Sequence, residues 1–339
     1  MPAEVRLALV GTGRIGRVHA GSYARVARGR LVACTDLVPE SAQRFGRDFG
    51  LEVCPDLDSI LRRGDIDGVI IATPNWLHAE MTVASLAAGK HVFCQKPIAL
   101  DLEGADRVLE AATASGCVLQ LGFMLRFTPP IPEVRALVAS GALGRVIACN
   151  AAIFGWEPNA DWFYDKATGG GVILDTLIHF ADLASWVAGD VERVHAEGGA
   201  YLLEGSKKHG SPDNASILMR HVGGATTTVY VTWTAGHGNF TFEVYGSNGS
   251  LNVDLVEKQA SRLFLRRPVR SETQALASGH SFPDLVWAYS YANEQQYFVD
   301  QIASCASPGL AATPEDARRA LAVALAAQRA LDEGGVVVL

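Results

Sequence analysis

Lys96-Pro97, at the end of an apolar run, and Asp175 with His179, four residues apart behind Gly169-Gly170-Gly171, are residues able to move protons and stabilise developing charge. Gly11-Thr12-Gly13-Arg14-Ile15-Gly16 adds a nucleotide cradle of GxGxxG spacing. A cation, an imidazole beside a carboxylate and such a cradle together suit hydride transfer. Oxidising a secondary alcohol needs a base for the hydroxyl proton, and histidine, with an unperturbed pKa of about 6.5, fits that role at His179. Asp175 shares a helix face with it and can orient the ring and favour its protonated form, or contact a substrate hydroxyl directly. Lys96 can donate to the reacting oxygen as alkoxide character develops, or anchor a nicotinamide ribose. The plain alternative for Asp175 and His179 is a helix-surface pair. A metal reading would add Asp182 on the same face, but no further ligand pair such as HExxH accompanies it, so no metal is expected.

The cradle stands in the context it needs. Val5 to Val10 reads as a buried strand, the glycine loop follows at once, and a helix runs on through Ala27. Gly11 permits the tight turn, Gly13 lets backbone approach a pyrophosphate, and Gly16 lets helix pack on strand, while unpaired amides face the phosphate. The next apolar run, Leu31 to Cys34, ends at Asp36, where a carboxylate can accept from an adenosine ribose and repel a 2′-phosphate. Leu37-Val38-Pro39 brings no compensating cation, so NAD is expected and NADP disfavoured. Arg14 can contact the pyrophosphate, stand in solvent, or swing toward a 2′-phosphate.

Alternating helices and near-continuous apolar strands continue to Leu121, which predicts a doubly wound parallel sheet. The strand ends carry Thr73-Pro74-Asn75, Gln95-Lys96-Pro97 and Gly122-Phe123, where such sheets bind ligands. Thr73, Pro74, Asn75, His78, Gln95 and Lys96 therefore join Gly11, Thr12, Gly13, Arg14, Ile15, Gly16 and Asp36 as candidate cofactor contacts, with capping or packing the other reading of His78. From Met124 the texture changes to helices at 130–140 and 171–187 and a series of β-like runs at 145–154, 191–203, 214–221, 224–234, 239–246 and 249–254. These predict an α+β domain with a large, mostly antiparallel open sheet, ended by helices at 286–304 and 314–332. The domains are thus 1–123, binding the dinucleotide, and 124–339, for substrate binding and oligomerisation. One sheet face is mixed in character, and a second subunit can cover it as a dimer or tetramer. The polar stretch 268–284 is the candidate mobile loop.

A chain of 339 residues, 49% hydrophobic and 19% charged, suits two domains with real cores. Net charge is −7 and no basic block occurs, which argues against nucleic-acid and anionic-membrane partners. The first residues lack a leader pattern and no apolar stretch reaches spanning length, so a cytoplasmic protein is expected. Six cysteines without CxxC spacing read as reduced, buried hydrophobes, with Cys94 notable only for lying near Lys96.

GTGRIG near the start, ATPNWLH at 72–78, QKP at 95–97, GFMLRF at 122–127 and GGGVILDTLIH at 169–179 together resemble the glucose-fructose oxidoreductase, inositol dehydrogenase and rhizopine-catabolism (Gfo/Idh/MocA) family over essentially the whole chain. The resemblance implies a Rossmann domain followed by an α/β domain with a large open sheet, a nicotinamide cofactor, and a catalytic set at Lys96, Asp175 and His179. GFMLRF most resembles the inositol dehydrogenase branch, which puts this segment near a polyol or sugar substrate. Arg126 can hydrogen-bond that polyol or pair with a carboxylate, and Trp162, with Phe163 and Tyr164, can stack on a sugar face or be core. Trp156, His237 and Asn239 are further pocket candidates. The expected activity is NAD-dependent oxidation of a cyclitol or sugar alcohol; an NADPH-dependent ketone reductase, a non-catalytic dinucleotide-binding regulator and an NAD-dependent glycosidase are the alternatives. The family usually has Glu where this chain has Gln95, a neutral amide that cannot raise the pKa of Lys96 as a carboxylate pointing at it would.

Overall fold

The computed structural model describes residues 4–154, 157–255, 262–265, 274–275, 289–304 and 309–339. The chain divides into two compact units, 1–127 with 286–318, and 128–285 with 319–339. The helix 291–304, which the sequence pattern places in the second domain, packs with the first unit.

In the first unit, strands β1 (Val5–Val10), β2 (Gly29–Thr35), β3 (Glu52–Val53), β4 (Gly68–Ile71), β5 (His91–Gln95) and β6 (Leu119–Gly122) form one parallel sheet in the order β3-β2-β1-β4-β5-β6. Their crossovers are α1 (Arg14–Ser22), α2 (Pro39–Phe49), α3 (Leu57–Leu61), α4 (His78–Ala87) and α5 (Leu102–Ser115). α1 stops five residues short of Ala27, and a 3-10 turn at Tyr23–Arg25 completes the crossover. Asp56 and Asp101 cap α3 and α5 by accepting from Ser59 N at 2.7 Å and Gly104 N at 2.6 Å. Leu7 and Leu9 of β1, Phe45 of α2, Phe93 of β5 and Phe298 and Val299 of a later helix, α9 (Tyr291–Ser304), close one core. That returning helix supplies apolar cover which the crossovers alone do not.

The second unit opens with α6 (Ile131–Ala139) and builds a nine-stranded sheet. Its strands are β7 (Val146–Phe154), β8 (Val191–Gly199), β9 (Asn214–His221), β10 (Thr226–Thr232), β11 (Asn239–Gly246), β12 (Gly249–Asp254), β13 (Arg262–Leu265), β14 (Gln274–Ala275) and β15 (Val336–Val338). The order is β14-β13-β12-β11-β7-β10-β9-β8-β15, and only β7 and β10 run parallel. Residues 274–275 of the expected mobile stretch lie in this sheet; the rest of 268–284 falls outside the described residues. The helix α7 (Ile178–Ala188) packs on the apolar face, with Phe180 and Phe240 rings 5.4 Å apart. The opposite face carries a polar ladder: Thr228 donates to Asn150 at 2.7 Å, and Asn150 and Asn252 donate to Glu243 at 3.1 and 2.9 Å. The remaining helices are α8 (Glu204–His209) and α10 (Pro314–Glu333), and no described helix is long and apolar enough to cross a membrane.

One polar group strains the first core. Glu294, in the first turn of α9, is fully buried, and neither carboxyl oxygen has a hydrogen-bond partner among the described residues. Burial drives its pKa well above the usual carboxylate range. In the unfolded chain the same group ionises near its ordinary value, so stability is intact below that value and is lost as pH rises toward the folded pKa. Glu294→Gln cannot ionise in either state. It is expected to raise the melting temperature at pH 8 and to raise it less at pH 5, about 2–4 °C for each kcal/mol recovered in a domain of this size. Calorimetry at both pH values checks this, and equal shifts would show that ionisation is not the cause.

Candidate active site

The nucleotide cradle is shaped by what a side chain would strike. Gly11 has φ +96°, donates to Thr35 O at 3.0 Å, and could not carry a Cβ, which would lie 2.6 Å from Ala72 O. A Cβ on Gly16 would overlap the Gly11 carbonyl oxygen. At Gly13, which precedes α1, a Cβ would meet nothing within 4 Å, so backbone there borders open space at a helix N-terminus. The Asp36 carboxylate accepts from Thr12 N at 2.7 Å and Thr12 Oγ1 at 2.8 Å through one oxygen, and from Val38 N at 2.9 Å through the other. It therefore holds the loop in place and retains lone pairs for a ribose. Arg14 is exposed on the first turn and Ile15 is half-buried. Beside Gly11, Thr73 Oγ1 is buried without a hydrogen-bond partner among the described residues, an orphaned group that a bound polar ligand can satisfy. Pro74 and Asn75 follow, Asn75 in a 3-10 turn at Asn75–Leu77. A glycine cradle, a helix N-terminus, a loop-fixing carboxylate and an orphaned hydroxyl fit a dinucleotide.

Two sequence candidates for the cofactor lie at these strand ends but engage protein groups. His78 is 1% exposed, with its ring nitrogens against the carbonyls of Pro97 and Thr73 at 2.7 and 2.9 Å, so it braces protein backbone. Gln95 is buried, its amide 2.6 Å from His19 Nε2, while Gln295 sits 3.0 Å from His19 Nδ1. Burial lowers the His19 pKa to about 3, so the ring is neutral; it donates at one nitrogen, and the amide there presents its oxygen. A charge at position 95 would face His19 first, which removes the basis for coupling it to Lys96. Lys96 itself is half-buried after β5. Cys94 beside it is buried, with its thiol pushed up to about 12 by burial, and is inert.

In the second unit, Gly170 and Gly171 have φ of +78° and +63°. A Cβ on Gly169 would strike the backbone of Trp162 and Phe163, so the run packs beneath that aromatic turn. The chain then enters a π-helical turn, Ile173–Leu177, before α7. The expected continuous helix is thus widened by one residue where Asp175 stands, a device concentrated at functional sites. Asp175 and His179 are 6% and 7% exposed. Thr176 Oγ1 donates to Asp175 at 3.4 Å and accepts from Trp233 Nε1 at 3.0 Å, and Trp233 packs edge-on to Tyr164 at 5.6 Å. Thr176 and Trp233 escaped the sequence reading, because a threonine and a strand tryptophan carry no spacing signal. Trp162 and Phe163 are half-buried and stacked at 3.8 Å, whereas Tyr164 is core. Asp161, before them, accepts from Lys208 at 2.7 Å and lies 3.1 Å from His209, contacts that hold its carboxyl below the usual range and tie the turn to α8.

Arg126 takes its second reading. It is 2% exposed and donates to Asp316 at 3.1 Å, an ion pair that a buried guanidinium requires. His237 is exposed, 5.7 Å from the Phe154 ring, Asn239 begins β11, and Trp156 lies outside the described residues.

Comparison with known proteins gives concordant results. Residues 5–123 match the model of the oxidoreductase family with NAD-binding Rossmann fold, and residues 131–252 the GFO/IDH/MocA C-terminal domain. An inositol 2-dehydrogenase from Rhizobium meliloti is 32% identical over 337 residues, covering 97% of each chain. A 1,5-anhydro-D-fructose reductase from Ensifer adhaerens is 30% identical, also with 97% of each chain covered. Among solved structures, GenD2 from gentamicin A biosynthesis, in complex with NAD, superimposes with a TM-score of 0.86 at 26% identity, covering 99% of this chain and 97% of that one. With an NAD-binding Rossmann domain at 5–123 and these relatives along its length, the chain belongs to the Gfo/Idh/MocA family of oxidoreductases.

Proposed function

We propose that this protein is a cytoplasmic NAD-dependent dehydrogenase that oxidises a ring secondary alcohol of a cyclitol or sugar to the ketone, or carries out the reverse reduction. The observation that carries the reading is the π-helical turn presenting nearly buried Asp175 and His179, in a chain whose other unit has an NAD cradle. The first unit, 1–127 with 286–318, serves the dinucleotide and the second, 128–285 with 319–339, the substrate. Gly11 to Gly16, Asp36, Thr73, Pro74 and Asn75 hold the cofactor, Lys96 contacts its ribose or the reacting oxygen, and NAD, when bound, supplies the hydride acceptor. His179 takes the hydroxyl proton, Asp175 orients the ring, and Lys96 stabilises negative charge on the oxygen. Trp162 offers an aromatic surface to the sugar.

The five described cysteines are all free, which accords with a reducing compartment. The open sheet face, with Leu218, Tyr230 and Tyr245 exposed around the Glu243 ladder, is proposed to pair with a second copy of the chain. The Ensifer relative favours one second reading, a sugar-ketone reductase.

A panel of inositols, aldoses and anhydro-sugars with NAD and NADP, and of the corresponding ketones with NADH and NADPH, read at 340 nm, decides between these, and no turnover with any polyol or ketone would sink both. His179→Ala is expected to cut kcat by about two to four orders of magnitude while NAD affinity stays within a few-fold. Unchanged turnover would remove His179 from the chemistry. Asp36→Ser with Leu37→Arg is expected to shift preference toward NADP, since repulsion is removed and a cation supplied. Titration of both cofactors tests this, and a wild type that already prefers NADP would overturn the assignment of Asp36.

A further inference from the structure

We propose that His78 is a positioning residue for Lys96, its imidazole bracing the turn that carries the lysine against the end of the adjacent strand. The proposal rests on the reading of Lys96 as catalytic. His78 is the first residue of α4 and its ring is sealed from solvent. Nδ1 lies 2.7 Å from the Pro97 carbonyl oxygen and Nε2 2.9 Å from that of Thr73. Pro97 directly follows Lys96, and Thr73 follows β4, the parallel neighbour of β5. One ring therefore spans the two strand ends that carry Lys96 and the Thr73-Pro74-Asn75 segment.

Both contacts are to acceptors, yet a neutral imidazole has one N–H; only an imidazolium has two. The two carbonyls favour the second proton, whereas burial and the charge on Lys96 oppose it more strongly and hold the pKa below the ordinary value. A neutral ring places its single proton on the shorter contact, Nδ1–H to Pro97, which is the lysine turn. Its Nε2 lone pair then faces the Thr73 carbonyl, a contact that relaxes only on protonation. The ring is thus coupled to the charge on Lys96 through space and to its position through the Pro97 peptide. A misplacement of about 1 Å in such a group can cost roughly 100-fold in rate.

The test uses NAD with the fastest polyol of the panel. His78→Phe keeps a ring but removes the donor, and is expected to lower kcat about 10- to 100-fold with NAD affinity held within about threefold. His78→Gln, which keeps an N–H donor, is expected to recover part of the loss. In a Lys96→Ala background, His78→Phe is expected to change kcat by less than about threefold, because nothing remains to be positioned. Fully additive losses would overturn the proposal. If Lys96→Ala alone leaves kcat intact, it is the catalytic reading of Lys96 that fails, and the positioning role with it. Nitrogen-15 spectra of the wild-type ring give an independent outcome even if the variants do not fold. A neutral ring protonated at Nδ1 supports the brace, and a proton at Nε2 overturns it.

Discussion

The contact between Gly11 and Gly16 is the constraint on which the cofactor half depends. The Gly11 carbonyl lies where any Cβ at Gly16 would be, and Gly11 itself presses on Ala72 and Thr73 at the end of β4. Two missing side chains thus let α1 start directly behind β1 and bring the loop onto the neighbouring strand. This closeness aims the helix N-terminus at the place where the strand order reverses between β1 and β4. Asp36 then draws the loop toward β2 through Thr12, so the same carboxylate that faces a ribose also fixes the peptides that face a pyrophosphate. Replacing it changes loop geometry as well as charge.

The second unit solves a comparable problem by different means. There the glycine run lets the Trp162-Phe163 turn rest on the backbone, and the chain spends one extra residue in a π turn before settling into α7. Helical side chains normally face one way per turn, and the inserted residue re-aims Asp175 without ending the helix. Thr176 links that turn to Trp233 after β10, and Tyr164 packs on the same indole. The carboxylate is consequently anchored to the sheet through its neighbour, which leaves its orientation to the rigid core of the unit.

The parallel sheet is legible in the sequence because its strands are short apolar runs punctuated by glycine and capping residues, and β1 takes the expected bounds, Val5–Val10. The antiparallel strands at 214–221, 239–246 and 249–254 followed from alternation and turn residues. What escaped depends on contacts distant in sequence. α9 belongs with the first unit because Phe298 and Val299 complete a core whose other members lie before residue 100, a partnership no local pattern encodes. α8 and β15 are too short for periodicity to register. Site residues that are defined by backbone conformation, such as the glycines, were read more faithfully than those defined by side-chain direction. Arg126, His78 and Gln95 all sit within recognised motifs, yet each turns into the protein.

Gln95 shows why a motif position is not a role. A carboxylate there is the family's usual choice, and on sequence grounds its loss bears on the adjacent lysine. In the fold the residue faces His19, which burial keeps neutral, and His19 also meets Gln295, next to the fully buried Glu294. Gln120 donates to the Glu294 backbone at 3.0 Å and ties β6 to the same cluster. The groups in contact are uncharged: two amides around an imidazole that burial keeps neutral, and a third amide bonded to the Glu294 carbonyl. An anion at position 95 would need a compensating cation, and the nearest group able to become one is His19, whose protonation burial opposes. The amide preserves the hydrogen bond and avoids the charge. The amide at position 95 is therefore matched to the neutral ring it meets, and a change there reaches Lys96 through the end of β5, which Gln95 closes and Lys96 follows.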